Sequence, residues 1–398
     1  MTEILRFALF VLVFMSLIGA GHYYAWARLV RDLELAAQPH RILTLLIVAL
    51  FVALFVSLLL GRSLPAPLRS GLLLPAFSWL GMLWLMVVTL VAADLIRLGL
   101  GGLSSLVSTP LAAPSGERRQ LLARLFGGFV LLIGGSATGV ALYTGLQRAR
   151  VQRVRVRLER LPKPLSGTKI VQLSDVHIGP TLGSEFLEHI VRTTNALEPD
   201  LIVITGDLVD GSVESIGTLC APLAQLQARY GVFFVTGNHE YYSGAVEWCR
   251  FLPSLGVRVL RNEHVRIGTE EHSFDLAGID DHHAEQFGHG HGADLARAVQ
   301  GRDDTRSLVL LAHQPRQALD AARHGVELQL SGHTHGGQIW PFNYLVKLQQ
   351  PIVAGLGQVG GTQVYVNSGT GYWGPPMRLG TQPEITELTL ESLSETAS

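Results

Sequence analysis

The chain has 398 residues, of which 48% are hydrophobic and 16% are charged, and its formal net charge is -1. This composition excludes a disordered chain, and the near-zero charge argues against a nucleic-acid partner. The charge is unevenly distributed, because about 10% of residues 1–147 are charged, against about 19% of the rest and roughly 25% of an average soluble domain. The sequence therefore predicts a membrane-embedded first part and a soluble second part.

Four segments of the first part lack Asp, Glu, Lys and Arg and reach the length of about 20 residues that crosses a bilayer. They cover residues 7–27, 42–60, 72–93 and 125–147. The first has no signal-peptidase site and ends in an aromatic cluster, which favours a signal anchor over a cleaved leader. We predict a four-helix transmembrane domain over residues 1–147, in a multi-pass protein of the cell membrane.

Polar and small residues of this domain give further expectations. Asp94 is expected to pair with Arg97 at the end of the third span. Five glycines of the fourth span are expected to be close-packing points, namely Gly127, Gly128, Gly134, Gly135 and Gly139. The basic residues beside the spans do not select an orientation. Counting those of the loops alone places the second part outside the cytoplasm, and adding the basic residues of 148–163 reverses the excess. The side of the membrane that the second part faces stays undetermined.

The second part alternates short apolar runs with helical patterns. The runs, rich in Val, Ile, Leu and Phe, cover residues 170–173, 201–204, 232–235, 308–311 and 328–330. Such runs are typical of strands buried on both faces, and the helical faces at 186–197 and 216–226 indicate an α/β fold. Segments 257–260, 274–279, 363–366 and 385–390 alternate more and predict a second, antiparallel layer. We predict a two-sheet β-sandwich flanked by helices over residues 148–392, and a tail of residues 393–398.

Each buried run ends in side chains that bind metals. These are Asp175, His177, Asp207, Asn238, His239, His313, His333 and His335. Ligands of α/β sheets bind beyond the carboxyl ends of the strands. The donors are nitrogen and oxygen without a thiol, which suits Mn, Fe, Zn, Co or Ni. Eight candidates exceed the coordination of one ion and fit two, which can clamp the entering and leaving oxygens of a displacement at phosphorus.

These clusters form five motifs in a fixed order. They are D-x-H at 175–177, G-D-x-x-D at 206–210, G-N-H-E at 237–240, the single His313, and G-H-x-H at 332–335. The order resembles the calcineurin-like metallophosphoesterase superfamily over about residues 150–390. The strings at 173–179 and 373–378 resemble its membrane-anchored bacterial branch.

The resemblance implies a role for each of these residues. It assigns Asp175, His177, Asp207 and His335 to a first divalent cation, and Asp207, Asn238, His313 and His333 to a second, with Asp207 bridging. It makes His239 the acid that serves the leaving oxygen, oriented by Asp210 and supported less directly by Glu240. The nucleophile implied is a metal-bound hydroxide.

Two regions outside the motifs are also candidates. Arg378 and Trp373 are expected to contact the phosphate and the body of the substrate. Residues 280–291 are rich in Asp, His and Gly, and three interpretations stay open: a solvated loop, a third metal site, or a lining of the substrate mouth.

The sequence thus predicts a membrane-anchored dimetal phosphoesterase, most simply a phosphodiesterase, that hydrolyses a phosphodiester or phosphomonoester. Its partners would be the lipid bilayer and a phosphate-ester substrate, with lipids among the candidates. One alternative is a lipid or nucleotide-sugar-lipid pyrophosphatase, because the anchor holds the site near headgroups. Another is a transporter or receptor with a non-catalytic, metal-binding regulatory domain.

Overall fold

The computed structural model describes residues 3–60, 64, 66–106 and 116–393. The chain divides into two compact units, Met1–Tyr143 with Gly374–Met377, and Thr144–Trp373 with Arg378–Ser398. The domain limits predicted from the sequence, 1–147 and 148–392, stay predictions. Of the predicted tail, only Leu393 lies within the described residues.

The first unit is helical. Its helices are α1 Glu3–Trp26, α2 Ala37–Leu60, α3 Ala66–Leu106 and α4 Gly116–Gly145, and a π-helical turn, Ala27–Arg31, follows α1. Three helices long and apolar enough to span a membrane occur among the described residues: Ala37–Leu60, Leu68–Leu100 and Gly116–Gly145. The predicted span 7–27 lies on α1, where several side chains fall outside the described part, so the count of four spans stays a prediction.

Only two of the five predicted close-packing glycines lie against a neighbour. A Cβ atom at Gly127 would come within 3.0 Å of the Leu33 side chain, and one at Gly134 within 3.4 Å of Met86. At Gly128, Gly135 and Gly139, no atom of the described residues lies within 4 Å of such a Cβ. The glycine content of α4 therefore indicated close packing correctly, but not which side of the helix it involves.

Asp94 pairs with Arg28, so the predicted pairing with Arg97 was wrong. Arg28 Nη2 lies 2.5 Å from Asp94 Oδ2, and the Tyr24 hydroxyl donates to the same oxygen at 2.6 Å. The Arg97 guanidinium instead lies 5.3 Å from the centre of the Phe126 ring. Spacing along one helix identified Arg97 as a candidate partner of Asp94, but the packing of α1 against α3 brings Arg28 closer.

The second unit contains two six-stranded sheets. The strands are β1 Arg150–Leu158, β2 Lys169–Leu173, β3 Leu201–Thr205, β4 Val232–Val235, β5 Val257–Val259, β6 Glu263–Gly268, β7 Ser273–Gly278, β8 Leu308–Leu311, β9 Leu328–Ser331, β10 Gly355–Val359, β11 Thr362–Val366 and β12 Glu384–Ser392. The helices are α5 Ser184–Asn195, α6 Val213–Ile216, α7 Asn238–Ser243, α8 Ala245–Phe251, α9 Leu295–Ala298, α10 Ala318–Ala321 and α11 Phe342–Val346.

Both sheets are mixed, which corrects the prediction of a separate antiparallel layer. The first has the order β1-β12-β2-β3-β4-β5, and the second has the order β10-β11-β9-β8-β7-β6. Strands β2 to β5 run parallel, as do β7, β8, β9 and β11, whereas β12 is antiparallel to β2. Two of the alternating segments, now β5 and β12, belong to the first sheet beside the motif-bearing strands. Alternation reports that one face is less buried, and it does not identify the neighbouring strand.

The strands that precede the motifs are mostly apolar because they face two cores. Between the sheets, Ile170 and Val203 of the first sheet belong to one cluster with Leu276 and Val309 of the second. On the other face of the first sheet, Val171, Leu173, Ile202 and Ile204 pack with Leu187 and Ile190 of α5. The predicted helical face at 216–226 is mostly a 3₁₀ helix, Gly217–Gln225, with Pro222 inside it. Proline lacks the N–H that a continued α-helix would use.

We expect a fragment that begins at residue 148 to be soluble, to unfold cooperatively and to bind divalent metal. The reason is that β1 pairs with β12 along its whole length, Arg150 with Glu384 through Leu158 with Ser392, so the cut leaves the first sheet intact. Thermal unfolding followed by circular dichroism, with metal analysis of the purified fragment, would check this. A fragment that aggregates or melts without a cooperative transition would contradict the predicted boundary.

Candidate metal centre

The predicted metal-binding side chains follow the carboxyl ends of five parallel strands. Asp175 and His177 follow β2, Asp207 follows β3, Asn238 begins α7 after β4, His313 follows β8, and His333 and His335 follow β9. The first three strands belong to one sheet and the last two to the other. The sequence motifs therefore meet where the ends of the two sheets come together.

One group of candidate ligands consists of Asp175, His177 and His335, all of them buried. His335 Nε2 lies 3.3 Å from Asp175 Oδ1 and 3.1 Å from His177 Nε2. Burial and the neighbouring His177 hold the pKa of His335 well below its ordinary value. A neutral imidazole is the form that binds a metal.

A second group consists of Asp207, His313 and His333. His313 Nε2 lies 3.2 Å from Asp207 Oδ2 and 3.2 Å from His333 Nδ1. Burial and the neighbouring His313 lower the pKa of His333 to about 3. The buried Asn238 Oδ1 has no hydrogen-bond partner among the described residues.

These groups fit two divalent cations. In each, two imidazole nitrogens face each other at hydrogen-bond distance beside a carboxylate, so three possible donor atoms converge on one region. A buried amide oxygen without a partner is unfavourable unless something else satisfies it, and a cation would do so. The donors are carboxylate, imidazole and amide groups without a thiolate. This donor set suits Mn, Fe, Zn, Co or Ni, the metals that the sequence also predicts.

Most of these ligands hold a strained backbone. The φ angles of Asp175, His177, Asp207, His333 and His335 are 51°, 53°, 51°, 70° and 50°. This left-handed region is uncommon outside glycine, although Asp, Asn and His are enriched there. Such residues cost about 1–3 kcal/mol each and persist where the surroundings determine them. Here the Asp175 N–H donates to Gly206 O at 3.0 Å and the His177 N–H donates to Asp207 O at 3.1 Å.

Space around the metal centre explains the glycines of the motifs. A Cβ at Gly237 would lie 2.2 Å from Asp207 Oδ1, and one at Gly332 would lie 2.2 Å from Asp175 Oδ2. Both distances are far shorter than a van der Waals contact. The glycine that precedes Asn238 and the one that precedes His333 therefore let the two loops approach the carboxylates.

Asp210 connects the first ligand group to His239. Its Oδ1 lies 2.5 Å from His239 Nδ1, and its Oδ2 lies 3.1 Å from His177 Nδ1. The pairing with His239 corresponds to the orienting role implied by the resemblance, whereas the contact with His177 was not anticipated. Both bonds use Nδ1 and leave Nε2 of each ring for another partner.

His239 is poised to hold a proton. Burial alone would lower the pKa of His239, but the Asp207 and Asp210 carboxylates raise it to about 9. A cation at Asp207 would offset that carboxylate and bring the pKa closer to neutrality. The His239 N–H also donates to Asp207 Oδ1 at 2.8 Å, which fixes the residue beside the bridging candidate.

Glu240 supports the backbone of this region. Its carboxylate accepts hydrogen bonds from the N–H groups of Gly237 at 2.6 Å, Asp207 at 3.0 Å and Leu208 at 2.8 Å. Burial and the Asp207 charge raise the pKa of Glu240 to about 7, and the backbone donors act in the opposite direction. Glu240 therefore ties the loop after β3 to the start of α7.

Arg378 has a different position from the one expected. Its side chain is fully buried and donates to the carbonyl oxygens of Ser368 at 2.6 Å, Gly371 at 2.6 Å and His335 at 3.2 Å. A guanidinium engaged by carbonyl groups in the interior does not reach a phosphate in this conformation. Its contacts instead fix the backbone of His335. Trp373 is exposed, and its ring centre lies 5.7 Å from that of His239.

The two aspartates of the 280–291 loop have protein partners. Asp280 pairs with Arg261 through two bonds of 2.9 and 2.6 Å, and Asp281 accepts from Gln314 Nε2 at 3.0 Å. The groups of metal-ligating side chains found among the described residues do not include this loop. Its Phe287 ring instead packs 5.7 Å from that of Tyr242, three residues after His239.

Sequence patterns gave no signal for three neighbours of this centre. Tyr242 lies with its ring centre 5.3 Å from that of His239. Gln338 bonds the backbone of Trp373. Neither residue belongs to a metal-binding motif, and Phe287 lies in the 280–291 loop, where Asp and His are the residue types typical of metal sites. Proximity in the folded chain was the only signal available for them.

A sandwich of two mixed sheets with paired clusters of Asp, His and Asn at its strand ends defines a class of metal-dependent phosphoesterases. The family model for calcineurin-like phosphoesterases matches residues 168–337. The chain is 38% identical to a "Transmembrane protein with metallophosphoesterase domain" of Danio rerio, over 96% of this chain and 89% of that protein. It therefore belongs to the calcineurin-like phosphoesterase family, and the name of this relative is consistent with a membrane-anchored branch.

Other relatives have a similar description. A bovine "Transmembrane protein with metallophosphoesterase domain" is 47% identical over 64% of this chain and 60% of that protein. An "Uncharacterized metallophosphoesterase" of Helicobacter pylori is 40% identical over 69% of this chain and 72% of that protein. The similarity thus extends to animal as well as bacterial proteins, and this chain spans less than two thirds of the bovine relative.

Proposed function

We propose that the chain is a membrane-anchored hydrolase of phosphoesters that uses two divalent cations, with a phosphodiester as the first substrate class and a phosphomonoester as the second. The observation that carries this proposal is the pair of ligand groups, Asp175–His177–His335 and Asp207–His313–His333, with the His239–Asp210 pair in direct contact with both. A binding module without turnover would not require a histidine that holds a proton beside the ligands.

In this proposal, Asp175, His177, Asp207 and His335 hold the first cation, and Asp207, Asn238, His313 and His333 hold the second. Mn, Fe, Zn, Co and Ni are all compatible with the donors. When bound, the two cations would neutralise phosphate charge and supply the nucleophile. His239 holds a proton at Nε2 for the leaving oxygen, and Asp210 orients its ring through Nδ1. Trp373 contacts the body of the substrate, and Arg378 positions His335.

One alternative substrate class is a lipid or nucleotide-sugar-lipid pyrophosphate. The apolar helices in the same chain favour it, because they would hold the enzyme at a bilayer whose headgroups contain phosphate. A transporter or receptor with a non-catalytic domain is less well supported, since every expected ligand position of the centre is occupied by a side chain that binds metal.

We expect the full-length protein, purified in detergent and loaded with Mn²⁺, to hydrolyse bis-p-nitrophenyl phosphate or a component of a phospholipid extract. Release of p-nitrophenol and of inorganic phosphate would be measured, with the EDTA-treated protein as the control. A panel of mono-, di- and pyrophosphate esters would then separate the substrate classes. The hydrolase proposal fails if the metal-loaded protein cleaves none of them.

A further inference from the structure

Three exposed aromatic side chains lie around His239, two in contact with its ring and the third in contact with one of those two. The ring centres of Tyr242 and Trp373 lie 5.3 and 5.7 Å from that of His239, and Phe287 lies 5.7 Å from Tyr242. Their exposed fractions are 62% for Tyr242, 55% for Trp373 and 42% for Phe287. We call these three residues the aromatic wall. Exposed aromatic side chains gathered next to a polar centre are typical of a binding site.

Each member of the aromatic wall is held by a segment that also serves the metal centre. Tyr242 belongs to α7, which begins at Asn238. Phe287 ends the short 3₁₀ helix Ala284–Phe287, in the loop that Asp281 fixes through Gln314, the neighbour of His313. The wall is therefore positioned by the same elements that position the ligands.

Trp373 is fixed by a pair of backbone contacts. Its N–H donates to Gln338 Oε1 at 3.2 Å, and its carbonyl accepts from Gln338 Nε2 at 2.9 Å. Gln338 itself has a left-handed φ of 46° and follows His335 by three residues. An exposed indole with its backbone held in this way loses less conformational freedom when it binds a ligand. We assign Gln338 as a positioning residue for Trp373.

We propose that the aromatic wall is a subsite for the leaving group of the substrate, and that this group has a flat, aromatic body. The inference rests on the proposed function, because His239 would deliver a proton to the leaving oxygen. The atoms bonded to that oxygen must then lie beside the rings that contact His239. Aromatic rings bind flat apolar groups by stacking and edge contacts, without regard to their particular substituents. The wall itself carries no charge that would favour a small, hydrated leaving group.

The first test measures binding alone. Full-length, Mn²⁺-loaded protein would be titrated calorimetrically with phenylphosphonate and with methylphosphonate. We expect wild type to bind the phenyl compound about tenfold more tightly, and Trp373→Ala or Tyr242→Ala to reduce that ratio to about threefold or less. Tyr344→Ala is the matched control, because Tyr344 is 57% exposed but lies outside the wall. Equal affinity of wild type for both compounds would overturn the proposal.

The second test measures turnover of two esters that differ only in the leaving group, p-nitrophenyl methyl phosphate and 2,2,2-trifluoroethyl methyl phosphate. We expect Trp373→Ala to lower kcat/KM by about tenfold for the aryl ester and by less than twofold for the alkyl ester. Gln338→Leu should lower the aryl-to-alkyl ratio in the same direction, by about threefold. An equal loss on both esters would mean that Trp373 is merely structural. Wild type could bind phenylphosphonate preferentially and yet cleave neither ester. That result would support the aromatic subsite and contradict the proposed hydrolysis.

Discussion

Asp207→Asn is expected to abolish hydrolysis and to reduce the bound metal from two ions per chain to one or fewer. Both carboxylate oxygens face the centre, since Oδ2 lies 3.2 Å from His313 Nε2 and Oδ1 accepts from the His239 N–H. The amide has the same shape but no charge, so two cations would lose the anion between them. We expect kcat/KM to fall at least about a thousandfold, which corresponds to about 4 kcal/mol of transition-state stabilisation. Metal content would be measured by mass spectrometry of the purified protein.

The matched control for this substitution is Asp294→Asn. Asp294 is an exposed residue that caps the short helix α9 by accepting from the Arg297 N–H, and Asn caps helices equally well. It should leave activity, metal content and thermal unfolding unchanged. Full metal occupancy together with unchanged hydrolysis in Asp207→Asn would show that the assigned ligand set is wrong.

His239→Ala is expected to keep both metals and to lose most turnover. General acid catalysis by a positioned side chain contributes about a hundredfold to ten-thousandfold, and kcat should fall within that range. The metals should remain because His239 belongs to neither assigned ligand group. The structure also contains a competing group, His177, Asp210 and His239, whose ligand atoms converge within 4.8 Å. If a cation occupied that group, His239→Ala would lose metal, so metal analysis separates the two arrangements.

The chemistry of the leaving group provides a second measure of the same role. An acid is needed less when the leaving oxygen is already a weak base, so the loss in His239→Ala should be smaller for p-nitrophenyl esters than for alkyl esters. His189→Ala, which changes a histidine of α5 outside both ligand groups, should affect neither. Equal losses for both leaving groups would argue that His239 acts on binding rather than on proton transfer.

The convergence of the candidate ligands could be predicted from the sequence because each follows a strand that is buried on both faces. Continuous runs such as residues 201–204 are buried in two cores, and their carboxyl ends converge by the geometry of parallel sheets. The partition of strands between the sheets was not predictable in this way. β5 and β12 are less apolar because they lie towards the sides of the first sheet. A strand of a separate, half-exposed layer would have the same alternating sequence pattern.

Other features depend on contacts between distant segments. Arg378 resembled a phosphate ligand because arginine is usually solvated or paired with an anion, yet here carbonyl groups of Ser368, Gly371 and His335 surround it. The second bond of Asp210, to His177, joins loops that are 33 residues apart. Such contacts are decided by tertiary packing, and residue type alone does not report them.

Each ligand group draws side chains from both sheets. Asp175 and His177 come from the first sheet and His335 from the second, and Asp207 of the first sheet meets His313 and His333 of the second. Two bound cations would therefore act as cross-links between the halves of the sandwich. The free energy of metal binding would then be part of the free energy that keeps the sheets together, because separating them would break the coordination. The same side chains would then serve both hydrolysis and the joining of the two sheets.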